Sequence, residues 1–167
     1  MQHTTPSVTP RRPSGRGART AIVGSLLSLL AFGAGPAFAA LGGNLASVES
    51  DRLAMQGGAL RTIAGAGYST YETTLPSGTV VREFALPGGA VFAVAWDGPF
   101  LPDLQRLLGS HFAAYAEAVR DQQDAHGQRV VQQPGLVVRS AGRMRAFSGQ
   151  AYLPNQLPAG VSLEDIR

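Results

Sequence analysis

The stretch VFAVAWDGP (residues 91–99) decides the fold of this chain, because it describes a β-strand without a polar face. Strand alternation directs two sets of three apolar side chains to opposite faces. One set is Phe92, Val94 and Trp96, and the other is Val91, Ala93 and Ala95. A strand that is apolar on both faces is normally covered on both, so the stretch predicts a central strand with a helix on one side and another segment on the other. An apolar ligand groove that uses Trp96 is the alternative.

The residues before this stretch predict two further strands and a short helix. YSTYETTL and TVVREFAL are rich in β-branched and aromatic residues and are joined by PSG, and PGG leads into AVFAVAW. Together these runs predict a three-stranded antiparallel meander. Near-helical apolar spacing over residues 44–55, followed by Gly57 and Gly58, predicts an N-terminal helix.

The residues after the strand predict one long helix. Pro102 suits the first helical turn, Asp103 lies where the helix dipole favours an anion, and the pattern continues to about Ala125, before His126 and Gly127. An apolar stripe recurs at helical spacing and is expected to pack on the sheet. It consists of Leu104, Leu107, Leu108, His111, Phe112, Tyr115, Ala118 and Val119.

LVVRS and RMRAFSGQAY predict a second hairpin. A three-residue loop, Ser140-Ala141-Gly142, pairs Arg139 with Arg143. Leu136, Val138, Met144 and Ala146 then share an apolar face, and Arg139, Arg143 and Arg145 gather on the other. A two-residue turn would mix apolar and charged residues on both faces, which favours the longer loop.

The expected fold class is therefore α+β. The meander and the second hairpin form an antiparallel sheet, one long helix packs on one face, and N- and C-terminal arms cover what the helix leaves bare. The arm at the C-terminal end includes residues 162–165, where a serine and an aspartate are expected to cap a helical turn.

Residues 1–39 are typical of a cleavable secretory signal peptide. A basic region precedes the apolar run AIVGSLLSLLAFGAG, and PAFA ends in small residues, which predicts cleavage after Ala39. A retained membrane anchor is the alternative, but three glycines and a proline interrupt the uncharged stretch. We expect residues 40–167 to form a single small domain, exported to the periplasm or outside the cell, without a stable membrane anchor.

The charge and cysteine content exclude several classes of function. Four of the 14 basic residues and none of the 11 acidic residues lie in the leader, so residues 40–167 carry 10 basic and 11 acidic residues. A nucleic-acid partner would need a basic excess on the folded domain, and none remains. The chain has no cysteine, which excludes disulfides, thiol catalysis and cysteine-ligated metals.

The sequence lacks the common signatures of catalysis and metal binding: there is no G-x-S-x-G, no glycine-rich phosphate loop and no H-E-x-x-H. His111 and His126 are fifteen residues apart on one predicted helix, too far to hold a metal jointly within one chain. We therefore expect neither a metal nor a cofactor.

Weak candidates for chemistry are His111, Asp97 and Asp103. His111 lies in the apolar stripe, where a titratable ring is either a general base or a core histidine bonded to a backbone carbonyl or to Tyr115. Asp97 and Asp103 bracket the loop DGPFLPD, either as a paired-carboxylate site or as separate turn and helix-start residues.

The arginine trio Arg139, Arg143 and Arg145 is the main surface candidate. Guanidinium groups on one sheet face can bind a carboxylate, a phosphate or an acidic protein bidentately. The alternative is an ordinary polar sheet face, on which Glu72 or Glu83 pairs with these arginines.

Several segments together resemble a known family. AFAALGG, SVESDR, SGTVVREF, AVFAVAWDGPFLPDLQRLLGSHF and MRAFSGQAYLPNQLPAGVSLEDIR resemble a family of exported proteobacterial proteins catalogued as domain of unknown function 2844. The resemblance covers nearly all of residues 40–167 and implies export and a single domain. It implies no activity, cofactor or catalytic residue.

Three functions remain in view. We expect a non-enzymatic periplasmic binding or accessory module with an arginine-rich sheet face, whose partner is a periplasmic protein or a small anionic ligand. The first alternative is a small periplasmic enzyme that uses His111 with Asp97 or Asp103. The second is a structural protein of the cell envelope.

Overall fold

The computed structural model describes residues 41–122 and 128–167, which fall within one compact unit. They form an α+β fold in which a seven-stranded, wholly antiparallel sheet carries helices on one face. The strands are β1 (Arg61–Ala64), β2 (Ser69–Thr74), β3 (Val80–Ala85), β4 (Val91–Gly98), β5 (Gln128–Gln133), β6 (Leu136–Arg143) and β7 (Ala146–Tyr152). The helices are α1 (Leu45–Ala54), α2 (Leu104–Leu108) and α3 (Phe112–Asp121), with 3-10 turns at Gly109–His111 and Pro154–Gln156. The strand order is β1-β2-β3-β4-β7-β6-β5.

β4 is the central strand, as its sequence predicts. It pairs with β3 on one side and β7 on the other, and every residue from Val91 to Trp96 is buried. Val94 and Trp96 face the helices, while Ala93 and Ala95 face the opposite side. The simple alternation fails at the start of the strand, because the register shifts between Phe84 and Ala85 of β3. Val91 therefore packs on the helix side and Phe92 on the other.

The sheet has two strands more than the sequence predicts. β1 extends the three-stranded meander to four strands, and β5 forms from polar residues for which no strand is predicted. Both lie at edges of the sheet, and all four residues of β1 are exposed. Short or polar edge strands lack the apolar alternation by which strands are recognised in a sequence, which explains the omission.

The second hairpin forms, but its predicted loop is wrong. Arg143 pairs with Ala146 across a two-residue turn of Met144 and Arg145, and Arg139 pairs with Gln150. Gly142 belongs to the strand because the ring of its cross-strand partner Phe147 lies over it. A Cβ on Gly142 would lie 2.7 Å from Cδ1 of Phe147. Ser140, Ala141 and Gly142, which the hydrophobic pattern predicts to be a loop, are therefore strand residues of β6.

The long helix is also divided. α2 ends at Leu108, Gly109 adopts a left-handed φ of 49°, and α3 begins after the 3-10 turn. The apolar stripe still faces the sheet, since Leu104, Leu107 and Leu108 are buried and Phe112 and Tyr115 pack against the same core. The predicted continuation to Ala125, like His126 and the leader, lies outside the described residues. No helix in residues 41–122 and 128–167 is long and apolar enough to cross a membrane.

The face opposite the helices is only partly covered. Beyond β7 the chain crosses this outer face, where Leu157, Val161 and Leu163 pack against the sheet and Ile166 is fully buried. The predicted turn at residues 162–165 forms here, with Ser162 donating from its backbone and its hydroxyl to Asp165. This C-terminal segment covers one end of the outer face and leaves the other end open.

Two carboxylic acids are buried between α1 and the sheet. Asp51 on α1 is 0% exposed and Glu83 on β3 is 4% exposed. Arg106 on α2 approaches Asp51, with Nη1 3.6 Å from Oδ1. Burial, together with the negative charge of Asp51, raises the pKa of Glu83 to about 8. Glu83 therefore stays protonated at neutral pH.

We expect the stability of the chain to depend on pH through Glu83. Between its ordinary pKa of 4.5 and about 8, Glu83 holds a proton in the folded chain only. The free energy of unfolding is therefore highest at or below the lower value and falls by about 1.4 kcal/mol per pH unit as the pH rises towards the upper one. Glu83→Gln is expected to flatten this dependence and Glu72→Gln to leave it unchanged, as measured by urea unfolding at several pH values. Parallel slopes for the original chain and Glu83→Gln would contradict the assignment.

Gly149 is expected to be essential for packing. A Cβ at this position would overlap Cζ2 of Trp96 and lie 2.7 Å from the carbonyl oxygen of Arg139. Gly149→Ala should therefore lower the free energy of unfolding by about 1–3 kcal/mol. Gly88→Ala is the matched control, because a Cβ there would meet nothing within 4 Å. Equal urea midpoints for the two variants would contradict this prediction and show that the ring of Trp96 can move aside without a loss of stability.

Candidate functional site

The open end of the outer sheet face holds a solvent-accessible concavity of about 640 Å³. We call it the arginine trough. Its charged and polar lining is Arg82, Arg139, Arg167, Asp97, Gln128, Gln150 and Ser148, with Ala141 and Gly149 at its floor and Trp96 beneath the floor. The side chains come from five strands and the C-terminal segment, so the site exists only in the folded sheet.

Strand register sets the positions of these side chains. Arg82 on β3 pairs with Ala95 on β4, Ala95 pairs with Gln150 on β7, and Gln150 pairs with Arg139 on β6. All four lie in one row across the sheet. The next row contains Asp97, Ser148, Ala141 and Gln128. Both rows point outward, because Val81, Val94, Ala151 and Val138, their neighbours along the strands, belong to the helix-covered core.

The arginines differ in how they are neutralised. Nε of Arg82 donates to Oε2 of Glu72 at 2.8 Å, and Arg61 approaches the other oxygen of the same carboxylate at 3.8 Å. Nε of Arg139 is buried and has no hydrogen-bond partner among the described residues. A buried guanidinium N–H without an acceptor is unfavourable, so this position favours an incoming anion.

The remaining lining supplies neutral hydrogen-bonding groups and one carboxylate. The carboxamides of Gln128 and Gln150 and the hydroxyl of Ser148 can donate or accept, and Asp97 can accept. The floor is nearly flat because its residues have small side chains or none. Such a site can hold a polar anion by bidentate arginine contacts and orient it through its neutral groups.

Trp96, the candidate for an apolar ligand contact, lies beneath the floor. Its side chain packs in the helix-covered core with only 1% of the residue exposed, and its ring lies against Gly149. Its indole N–H has no hydrogen-bond partner in the part of the chain that the structure describes. In this conformation the ring supports the trough from below.

Arg139 and Arg143 share the outer face of β6, but only one member of the predicted arginine trio lines the trough. Arg139 lines the trough, whereas Arg143 is exposed and outside it, and Arg145 in the hairpin turn lines a smaller concavity beside Asp97 and Ser148. The expected acidic neighbours differ as well. Glu72 pairs with Arg82 and Arg61, and Glu83 lies on the opposite face of the sheet. The pairing of Arg139 with Arg143 that would have gathered the trio depended on the wrong hairpin loop.

The candidates for acid–base chemistry lie apart. Nε2 of His111 is close to Gly42, which bonds to Val91 at the start of β4, whereas Asp97 lies six residues along this strand, about 20 Å away. Asp103 caps α2, where it accepts from the backbone N–H of Arg106, and lines a concavity different from that of Asp97. In residues 41–122 and 128–167 no group of three or more metal-ligating side chains is placed to hold a metal ion.

Sequence reasoning missed Arg82 and Arg167 as members of the site. Alternation in β3 places Arg82 opposite Val81, and this signal was available. That Arg82 and Arg139 share one row depends on the pairing of β4 with β7, strands more than forty residues apart in the chain. No local pattern specifies that pairing.

The comparisons place the chain in a family without an assigned function. No curated protein and no solved structure matches it. The family model described as protein of unknown function (DUF2844) matches residues 37–166. This range contains all seven strands and every residue of the arginine trough except Arg167. The match spans most of the chain, which therefore belongs to the DUF2844 family.

Proposed function

We propose that this protein is a non-enzymatic binding module of the periplasm or the cell exterior, and that it takes an anionic ligand in the arginine trough. The ligand is a small anion or an acidic group of a periplasmic protein. One observation carries the proposal. Nε of Arg139, which lines the polar concavity, is buried and has no hydrogen-bond partner among the described residues.

The composition of the trough supports an anion in preference to an apolar ligand. Sites for apolar small molecules are lined mainly by hydrophobic and aromatic side chains. Here three arginines, two glutamines, a serine and an aspartate form the lining, and the only aromatic residue lies beneath the floor. The volume of about 640 Å³ suits a ligand of metabolite size or a short segment of a larger one.

The arrangement of the remaining candidates supports binding over catalysis. Acid–base catalysis needs a base within hydrogen-bond reach of the reacting group and of the residue that orients it. His111 lies beside Gly42, near the start of β4, Asp97 lies towards the other end of that strand, and Asp103 caps α2. Among the described residues that line the trough there is no histidine.

The proposed location rests on the leader. Residues 1–39 combine a basic region, an apolar run and a small-residue cleavage site. The family match begins at residue 37, within three residues of the expected cleavage point, and so leaves out nearly all of the predicted leader.

Removal of the charge of Arg139 is expected to weaken anion binding about tenfold or more, because a charge-assisted hydrogen bond contributes about 1.5–3 kcal/mol. The experiment titrates residues 40–167 and the Arg139→Gln variant with sulfate and with phosphate. Calorimetry gives the affinity, and fluorescence of Trp96, the only tryptophan of the chain, reports on the trough floor.

Arg143→Gln is the matched control. It removes the same charge from the same strand at an exposed position outside the trough. Its affinity should equal that of the original chain, and urea midpoints should show that both variants are folded. Equal affinities in the two variants, or no binding of either anion to the original chain, would refute the proposal.

A further inference from the structure

We infer that the trough recognises an extended ligand with two separate anionic groups, one held at Arg82 and the other at Arg139. This inference rests on the proposed function and names the class of ligand for the same site. It follows from the row of charges across the sheet, from the separation of the two arginines, and from the uncharged groups of β7 and β6 between them.

The row of side chains that crosses the sheet carries a net charge of +2. Its order across the strands is Arg61, Glu72, Arg82, Ala95, Gln150 and Arg139. Three arginines against one glutamate leave two positive charges. Asp97 and Arg167, which also line the trough, add one charge of each sign and do not change this balance. A ligand with two negative charges would neutralise the site.

The two arginines lie on well-separated strands, and Glu72 draws Arg82 away from Arg139. Three interstrand spacings separate Arg82 from Arg139, which amounts to about 14 Å between their Cα atoms. Glu72 holds Arg82 from the side of β2, away from Arg139. Allowing for one guanidinium–carboxylate contact at each end, roughly 6 Å or more separates the two bound anionic groups.

The floor between the arginines is uncharged on β7 and β6. Gln150 on β7 occupies one intervening position of the row, and Ser148 on β7 and Ala141 on β6 occupy the next row. Ala95 on β4, the other intervening residue, is only 1% exposed in the outer apolar cluster, so Asp97 is the polar residue of β4 that lines the trough. A linker can therefore cross β7 beside uncharged groups, and donor groups on it can bond to Gln150, Ser148 and Asp97.

The test compares dicarboxylates with matched monocarboxylates. Residues 40–167 retain both apolar clusters that cover the sheet, and this chain is titrated with succinate, suberate and octanoate at constant ionic strength. Succinate is too short to reach both arginines, and octanoate has the length of suberate but only one carboxylate. We expect suberate to bind about tenfold more tightly than either.

Three variants test which arginines produce the preference for suberate. In Arg139→Gln and in Arg82→Gln the preference for suberate should disappear, and in Arg143→Gln it should persist. Equal affinities for suberate and octanoate, or for suberate and succinate, would overturn this inference, while measurable binding of sulfate would leave the proposed function intact. If neither sulfate nor any carboxylate binds, both fail. The comparison of ligands on the unaltered chain does not depend on any variant being folded.

Discussion

Burial of β4 on both faces is the constraint on which the rest of the structure depends. Six consecutive apolar residues, from Val91 to Trp96, must be removed from water on two sides at once. The three helices and the residues before α1 cover one side, and the C-terminal segment covers the other. The strands β3 and β7 satisfy the backbone groups of β4 along both edges. The helices, the C-terminal segment, β3 and β7 therefore each meet a requirement set by one short stretch of sequence.

The arginine trough lies on the part of the outer face that the C-terminal segment does not cover. At one end, Phe84, Phe92 and Tyr152 need an apolar cover and receive it from the C-terminal segment. At the other end, alanine, serine and glutamine need none, so the sheet stays open and the arginines at its margins remain accessible. The trough is thus the part of the sheet that the hydrophobic effect does not close.

Features that depend on local patterns can be predicted from the sequence. Features that depend on pairing between strands distant in the chain cannot. The α+β class, the central strand, the N-terminal helix and the hairpin connecting β6 to β7 follow from periodicity and turn residues. The hairpin loop was wrong because Gly142 and Gly149 are strand residues beneath aromatic rings, a role that no propensity encodes. Of the predicted arginine trio only Arg139 lines the trough, and its partner Arg82 becomes visible only when β4 pairs with β7. Glu83 looked like a surface residue, since nothing in VVREF indicates that α1 covers it.

The pairing of β4 with β7 also governs how the chain reaches its folded state. Val94 and Ala151 are paired although they are 57 positions apart, so the central strand stays half-paired until almost the whole chain is present. The other five strand pairings join consecutive strands, whereas this one closes a long loop whose entropy is lost before its contacts form. We therefore expect the two hairpin-built halves of the sheet to form early and their junction at β4 to form late.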